Sequence, residues 1–331
     1  MSIARSRKEG RKYINTIPTD AAGLNKMPSI LKEYINNKAE NTPKIQLGPF
    51  TTDTSVYLDP PVSGLRVTWV GHSSLLIEID GIRILTDPVW SQRVSFTQAI
   101  GPKRFFQPPI ALQDLPKIDV IISSHDHYDH LDKDTIKFFA KTETPFICSM
   151  GVAGYLETWG VPKLNIHEVD WGDSVMMGNC TITAAPARHF SGRGMFNRDE
   201  TLWSSFVIKG PVHNIYFGAD SGYSPDFAAI GETFGPFDLT MLEIGAYGQY
   251  WADIHMGPDN ASNAHLDLKG NIMMPIHWGT FNLAPHAWYE PAERLVKFGK
   301  DKNIKLFLPE PGKPTEVSGP LNTEWWKRYM S

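Results

Sequence analysis

His125-Asp126-His127-Tyr128-Asp129-His130 packs three imidazoles and two carboxylates into six consecutive positions. It follows residues 117–124, whose apolar centre reads as a buried strand ending in small polar residues. In an extended segment residues two apart point the same way, so His125 and His127 can bind one metal ion together. If the chain then turns into a helix, Asp129 and His130 swing to the other side and can serve a second ion. Neutral imidazole suits zinc, iron and similar ions, and a carboxylate adds charge compensation. A polar strand-end loop whose histidines only hydrogen-bond is the plainer alternative. It suits a lone histidine far better than three with an aspartate in register.

A metal pair needs further ligands from strand ends elsewhere. His189, in Ala187-Arg188-His189-Phe190-Ser191, sits just past a strand and is the natural third ligand beside His125 and His127. Asp220, in Gly218-Ala219-Asp220-Ser221-Gly222, ends an apolar strand among small residues, where a carboxylate can bridge two ions. His277, in Pro275-Ile276-His277-Trp278-Gly279, repeats the pattern and completes a second site with Asp129 and His130. Each alone also reads as a loop histidine, a satisfied core histidine or a turn former. Their shared context raises them together.

Two divalent cations contribute roughly +4, Asp129 and Asp220 remove two, and a bridging hydroxide removes one, leaving about +1. Such a centre attracts an anionic group such as a phosphodiester. It also lowers the pKa of bound water enough to supply hydroxide near neutrality. The expected cofactor is two Zn2+, with Mn2+ or Fe as substitutes.

The elements that must position these groups follow from apolar patterning. Strands are expected at 66–72, 74–80, 120–123, 145–148, 180–184, 205–208, 214–218, 239–243, 272–275 and 305–308. Asp80-Gly81 makes a hairpin turn into a further strand at 82–86. Helical patterns occupy 133–141, 151–158, 224–233, 259–268 and 290–300. Residues 1–60 are polar and rich in Pro, Asn and Thr, with one short amphipathic helix at 29–35, and read as a lead-in packed on the core. No composition break follows, so 61–331 reads as one catalytic domain. Strands with helices between them fit two packed sheets covered by helices. No phosphate-cradling glycine loop or nucleophile elbow is present, which removes the anchor for nucleotide and serine-hydrolase readings.

The chain has 331 residues, 41% of them apolar, enough for a sizeable core. A net charge of −4 argues against a general nucleic-acid binder. Cys148 and Cys180 are the only cysteines, so no disulfide framework is expected. No run approaches the roughly 18 apolar residues of a membrane span, and the basic N-terminus lacks a signal's apolar stretch. The expected location is the cytoplasm, with peripheral contact at the inner membrane face left open. Arg5, Arg7, Lys8, Arg11 and Lys12 read as a solvated, frayed tail, with contact to anionic lipid as the second reading. Trp325-Trp326-Lys327-Arg328-Tyr329 suits either a membrane interface or packing of a C-terminal tail.

These residues resemble the metallo-β-lactamase fold superfamily and, within it, the N-acylphosphatidylethanolamine-hydrolysing phospholipase D family. The similarity runs from about Val67 to Pro291. It includes Trp69-Val70-Gly71-His72, Leu85-Thr86-Asp87-Pro88-Val89, Gly101-Pro102-Lys103-Arg104-Phe105, Ile244-Gly245-Ala246-Tyr247 and His277-Trp278-Gly279-Thr280-Phe281. The resemblance implies an α+β chain folded as an αββα sandwich of two mixed β-sheets flanked by helices. It assigns His125, His127 and His189 to one zinc, Asp129, His130 and His277 to the other, and Asp220 to both. It also implies that His255, in His255-Met256-Gly257-Pro258, faces the substrate phosphate. Asp129, Asp220 and His255 then carry the catalysis. His72 buttresses the site instead of binding metal. No functional argument attaches to His167, His213, His265 or His286.

The activity so implied is a phospholipase D-type phosphodiesterase acting on N-acylphosphatidylethanolamine-like lipids through a dizinc-bound hydroxide. Its partner is a phosphodiester or lipid substrate; self-association as a homodimer is left open. A lactonase or other carboxyl-ester hydrolase could use the same centre. A redox di-iron protein is a further alternative, though such proteins usually carry glutamate where this chain has His127. A β-lactamase and a non-catalytic scaffold fit less well, because Asp220 resembles a bridging ligand and no ligand is missing.

Overall fold

The computed structural model describes residues 3–21, 23, 26–194 and 196–330. A hairpin of β1 (Arg7–Glu9) and β2 (Lys12–Ile14) precedes helix α1 (Met27–Asn36). Strands β3 (Leu65–Gly71), β4 (Ser74–Ile79), β5 (Ile82–Thr86) and β6 (Val120–Ser123) follow, then α2 (Lys133–Phe139). Next come β7 (Phe146–Ser149), α3 (Ala153–Thr158), β8 (Ile166–Val169), β9 (Ser174–Met177) and β10 (Cys180–Ala185). Then come β11 (Ser205–Lys209), β12 (Asn214–Phe217), α4 (Asp226–Phe234), β13 (Phe237–Glu243) and α5 (Gly257–Asp267). The last elements are β14 (Gly270–Ile276), α6 (Glu290–Asp301), β15 (Lys305–Leu308), β16 (Thr315–Glu316) and β17 (Leu321–Asn322), before a 3-10 turn at Trp325–Tyr329.

Among the described residues, one sheet runs β16-β3-β4-β5-β6-β7-β8 and the other β17-β15-β14-β13-β12-β11-β10-β9. Both are mixed: β3, β4 and β5 pair antiparallel before β6 joins parallel, and β11–β12 pair antiparallel before β13 joins parallel. Alternation along β6 shows how the layers assemble. Val120 and Ile122 enter the core between the sheets with Ile182, Phe206, Phe217 and Met241. Ile121 faces the other way, onto Ile136 and Phe139 of α2 and Leu156 of α3. A strand buried on both faces must be apolar throughout, which is why its sequence lacks alternation. Helices α4, α5 and α6 cover the second sheet through Ile230, Ala264 and Leu295. This is the metallo-β-lactamase fold, an αββα sandwich of the α+β class.

Of the two tail readings, the N-terminal one needs correction and the C-terminal one resolves to packing. Met1 and Ser2 open the basic segment and lie outside the described residues. The remainder does not fray. Tyr13 is buried with Trp171, Leu202 and Trp203, its N–H donates to Asp199 O at 2.7 Å, and Arg5 pairs with Asp173. Burial of the Tyr13 ring ties this polar segment down. At the other end Trp325 and Trp326 are 2% and 0% exposed, so the pair packs inward and is not presented to a membrane.

That packing reaches the strand ends. Trp69 stacks on Trp278 with ring centroids 5.3 Å apart, and Trp325 lies 5.4 Å from Trp278. The Trp69 indole N–H and the His277 backbone N–H both donate to His72 O, at 2.9 and 3.1 Å. One carbonyl therefore joins the ends of β3 and β14 across the sandwich. Truncating Trp325→Ala is expected to cost about 3–5 kcal/mol of unfolding free energy, read by denaturant titration. It is also expected to weaken metal retention, because Trp278 follows His277 directly.

Candidate metal centre

Strand β6 delivers its last side chain at Ser123, and the chain then makes a single turn in which His130 N and Leu131 N donate to His127 O at 3.1 and 2.8 Å. The turn is stopped by Asp132, whose carboxylate caps α2 and also accepts from Trp90 N and Ser91 N. His125 and His127 face one side and Asp129 and His130 the other. Loops after β10, β12 and β14 bring in His189, Asp220 and His277. Two clusters result, each with ligand-capable atoms within 4.8 Å of one another: His125, His127, His189 and Asp220, and His72, Asp129, His130 and His277; a third group, Asp220, Glu243, His255 and His277, overlaps both.

Asp220 Oδ2 lies at the junction. It is 3.1 Å from His130 Nε2 and 3.2 Å from His277 Nε2, and 3.9 and 3.7 Å from the Nε2 atoms of His125 and His189. One oxygen thus faces imidazoles of both clusters. His72 Nε2 lies 3.0 Å from Asp129 Oδ2, so His72 sits among the ligand-capable groups of the second cluster. His255 stands with its ring centroid 5.2 Å from His189 and 5.2 Å from His277, beside both clusters.

Which ring nitrogen faces inward is set from outside. His189 Nδ1 donates to Ile254 O at 3.0 Å, His125 Nδ1 meets Ser124 Oγ at 2.9 Å, and His130 Nδ1 meets Asp87 Oδ2 at 2.7 Å. Each leaves Nε2 directed at the centre. Burial holds His125 and His189 well below the usual imidazole value, aided by neighbouring rings, which keeps them in the neutral form that binds metal. Burial alone would raise the Asp129 and Asp220 carboxyls, but the facing imidazoles of His130 and His277 hold both well below the usual carboxylate range. Conversely, burial lowers His130 and His277, and Asp220 together with Asp129 outweighs it and raises both. The pocket's own charge balance calls for cations among these groups.

The donor set fits a pair of metal ions. His130 Nε2, His277 Nε2 and Asp220 Oδ1 are buried with no hydrogen-bond partner, a costly arrangement unless a cation meets them. Imidazoles with a few carboxylates are the ligands that zinc and iron select.

Four contributors were not picked out from the sequence. Asp87 orients His130 and Ser124, with Ser124 Oγ at 2.6 Å. Glu243, at the end of β13, meets His255 Nδ1 at 2.6 Å. Gly222 admits the 253–254 backbone; a Cβ there would sit 1.9 Å from Asp253 O. Arg193 threads Nη1 onto the carbonyls of Asp126 and Leu131, at 2.8 and 2.7 Å, while its guanidinium covers the Tyr128 ring at 4.0 Å. Asp87 and Glu243 each end an apolar strand, the same signal that marks Asp220.

Residues 82–278 match the family described as the Beta-lactamase superfamily domain. The protein Rv0906 of Mycobacterium tuberculosis is 47% identical over 270 residues, spanning 80% of this chain and 72% of that one. N-acyl-phosphatidylethanolamine-hydrolyzing phospholipase D 1 of Caenorhabditis elegans is 37% identical over 246 residues, 70% of this chain and 69% of its own. Among solved structures, Igni18, a metallo hydrolase from Ignicoccus hospitalis, superposes with a TM-score of 0.57 at 22% identity. The match covers 76% of this chain and 97% of that one.

Arg193 is the test of how the turn is held. Hydrogen bonds from a charged donor contribute about 1.5–3 kcal/mol each, so Arg193→Ala should free the 126–131 backbone. The expected outcome is a metal affinity lower by about 10- to 100-fold, read by competition with a chromophoric chelator. Arg193→Lys should recover only part of it, because an ammonium lacks the planar fork.

Proposed function

The chain belongs to the beta-lactamase superfamily, and from that footing we propose that this metal-dependent hydrolase is a phosphodiesterase of phospholipase D type. The single observation that carries the reading is Asp220 Oδ2, which faces imidazoles of both clusters from within 4 Å. That is where a carboxylate shared by two cations belongs. When bound, two divalent cations supply Lewis acidity and make a coordinated water acidic enough to ionise near neutral pH.

The chain's own residues do the rest. The six imidazoles and carboxylates around Asp220 hold the reacting region at strand ends, where burial excludes bulk water. Asp87 and Glu243 add negative charge, but each stands behind an imidazole, farther from the opening than the cations would be. An anionic diester is the substrate such a centre favours, and His255 is placed beside both clusters to contact its phosphate.

An N-acylphosphatidylethanolamine-like lipid is the substrate class we favour. The name of the 37%-identical nematode relative supports it. So does α1, whose Ile30 and Tyr34 pack with Trp251, Ile254 and Phe190. Phe190 in turn lies 4.4 Å from the His127 ring. On the outer side of α1, Leu31 and Ile35 are 59% and 74% exposed. An apolar approach of this kind suits peripheral contact with a lipid surface. Among the described residues no helix is long and apolar enough to cross a membrane.

The deciding experiment offers the zinc-loaded protein three substrates: a bis-aryl phosphate, vesicles of an N-acylated phospholipid, and a lactone panel. Release of phosphatidic acid and aryl phosphate is expected, abolished by chelation and restored by zinc. Turnover confined to lactones or carboxyl esters would make the protein the other kind of hydrolase. Asp220→Asn should lose more than about 100-fold in kcat together with metal, as ligand loss exceeds the effect of an outer contact. Full turnover with both metals retained would remove Asp220 from its role.

A further inference from the structure

Glu243 is a fully buried carboxylate at the end of β13 that lies outside the seven ligand positions, with Oε2 3.8 Å from His277 Nδ1. Burying a carboxylate costs several kcal/mol unless its lone pairs are met. Here every donor has a purpose. Oε1 accepts from Ser221 N at 3.0 Å and Met256 N at 3.3 Å, and Oε2 meets His255 Nδ1 at 2.6 Å. No lysine or arginine pairs with it among the described residues. Two of those donors are anchored to the site: Ser221 follows Asp220, and Met256 follows His255.

The consequence falls on His255. With Nδ1 committed to the carboxylate, Nε2 is the ring atom left to meet a ligand. The ring centroid is equidistant, at 5.2 Å, from His189 of one cluster and His277 of the other. Its side chain keeps 13% exposure, so it stands at the edge of the centre, within reach of Asp220 and His277.

We propose that Glu243 is a positioning residue that fixes the Nδ1 proton of His255 and thereby makes Nε2 the proton-carrying atom of phosphodiester hydrolysis. The inference rests on the phosphodiesterase reading. As the water oxygen bonds to phosphorus and the bond to the leaving oxygen breaks, Nε2 takes a proton from the water. It then returns that proton to the leaving alkoxide. The ring ends neutral, the products are an alcohol and a phosphate monoester, and no other reactant is consumed. A carboxylate on Nδ1 favours this by stabilising the transient imidazolium.

Glu243→Gln tests it with little disturbance of packing. The amide carbonyl can keep the two backbone N–H groups, while the amide N–H turns toward Nδ1. The single proton of a neutral His255 then moves to Nε2, which can no longer accept one. In zinc-loaded, 15N-histidine-labelled protein, the His255 Nδ1 resonance should change from the protonated to the unprotonated type. Zinc content should stay at the wild-type level. The loss in kcat should be about 100-fold for the N-acylated phospholipid, whose leaving group is an alkoxide. For a bis(p-nitrophenyl) phosphate, which needs the proton taken from water but none returned to its leaving group, the loss should be smaller, about 10-fold, with KM changed little in both. Combined with His255→Ala, Glu243→Gln should cost nothing further.

Equal losses on both substrates, loss of zinc, or additive losses in the double variant would each overturn the proposal. If the wild type cleaves no phosphodiester, the reading beneath it fails instead. The 15N tautomer comparison then still decides whether Glu243 governs His255.

Discussion

Two carboxylates, Asp129 and Asp220, are held with six imidazoles at a place where, among the described residues, no lysine or arginine pairs with them. This confinement is the constraint on which the structure turns. Left to burial, the carboxyls would take up protons; the facing imidazoles prevent it by drawing protons onto themselves. Cations supply the same charge with directed bonds, so metal binding and the stability of this region are linked. The sandwich exists, in this sense, to bring the ends of β3, β6, β10, β12 and β14 to one point. Its edges need not be accurate; the junction where β3, β6, β12 and β14 end must be.

Backbone strain marks that junction. His72, Asp87, Ala219, Ala246 and His277 all have positive φ, between 35° and 61°, and each follows a strand of the two central sheets or lies within three residues of one. A non-glycine residue in the left-handed region costs on the order of 1 kcal/mol or more, and such residues persist where surroundings over-determine them. The over-determination is visible. Gly245 lets the chain pass so close to His277 that a Cβ would lie 2.0 Å from its carbonyl oxygen. The His72 carbonyl is fixed by Trp69 and His277 together. The stacked tryptophans beneath these contacts belong to the main core, so dispersion and burial offset strain that the strand ends could not carry alone.

Much of this was legible because the chemistry is local or repeats one local pattern. The HDHYDH turn carries four ligand-capable residues in six positions, and strand-end context was enough to add His189, Asp220 and His277. Strands buried on both faces, such as Val120–Ser123, announced themselves as short apolar runs. What escaped depends on long-range packing. The N-terminal hairpin is polar except for Tyr13 and Ile14, and the Tyr13 ring is buried against Trp171 and Trp203 far along the chain. Strands β8 and β9 are edge-proximal and half-exposed, so neither carries an apolar run or a clean alternation. Arg193 has no sequence signal, since its partners are backbone carbonyls. Asp87 and Glu243 are different: both obey the strand-end rule that found Asp220, and were passed over because each sits inside a segment valued for other reasons.

The residues of the two clusters and the apolar wall beside them come from different parts of the chain. The ligand-capable side chains from His125 to His277 lie inside the 82–278 segment that matches the superfamily domain, and a generic hydrolase centre needs little more. The surface beside that centre draws on Ala21, Ile30 and Tyr34, ahead of the matched segment, and on Ala284 beyond it. These pack with Phe190, Tyr250, Trp251 and Ile254, loop residues whose identities no metal geometry dictates. Ile254 joins the two tasks. Its side chain belongs to the apolar wall and its carbonyl accepts from His189 Nδ1, so a change in what the wall holds reaches a ligand-capable histidine through one hydrogen bond. Coupling of that kind lets one ligand set serve many substrates, since the wall can be rebuilt while the centre keeps its geometry.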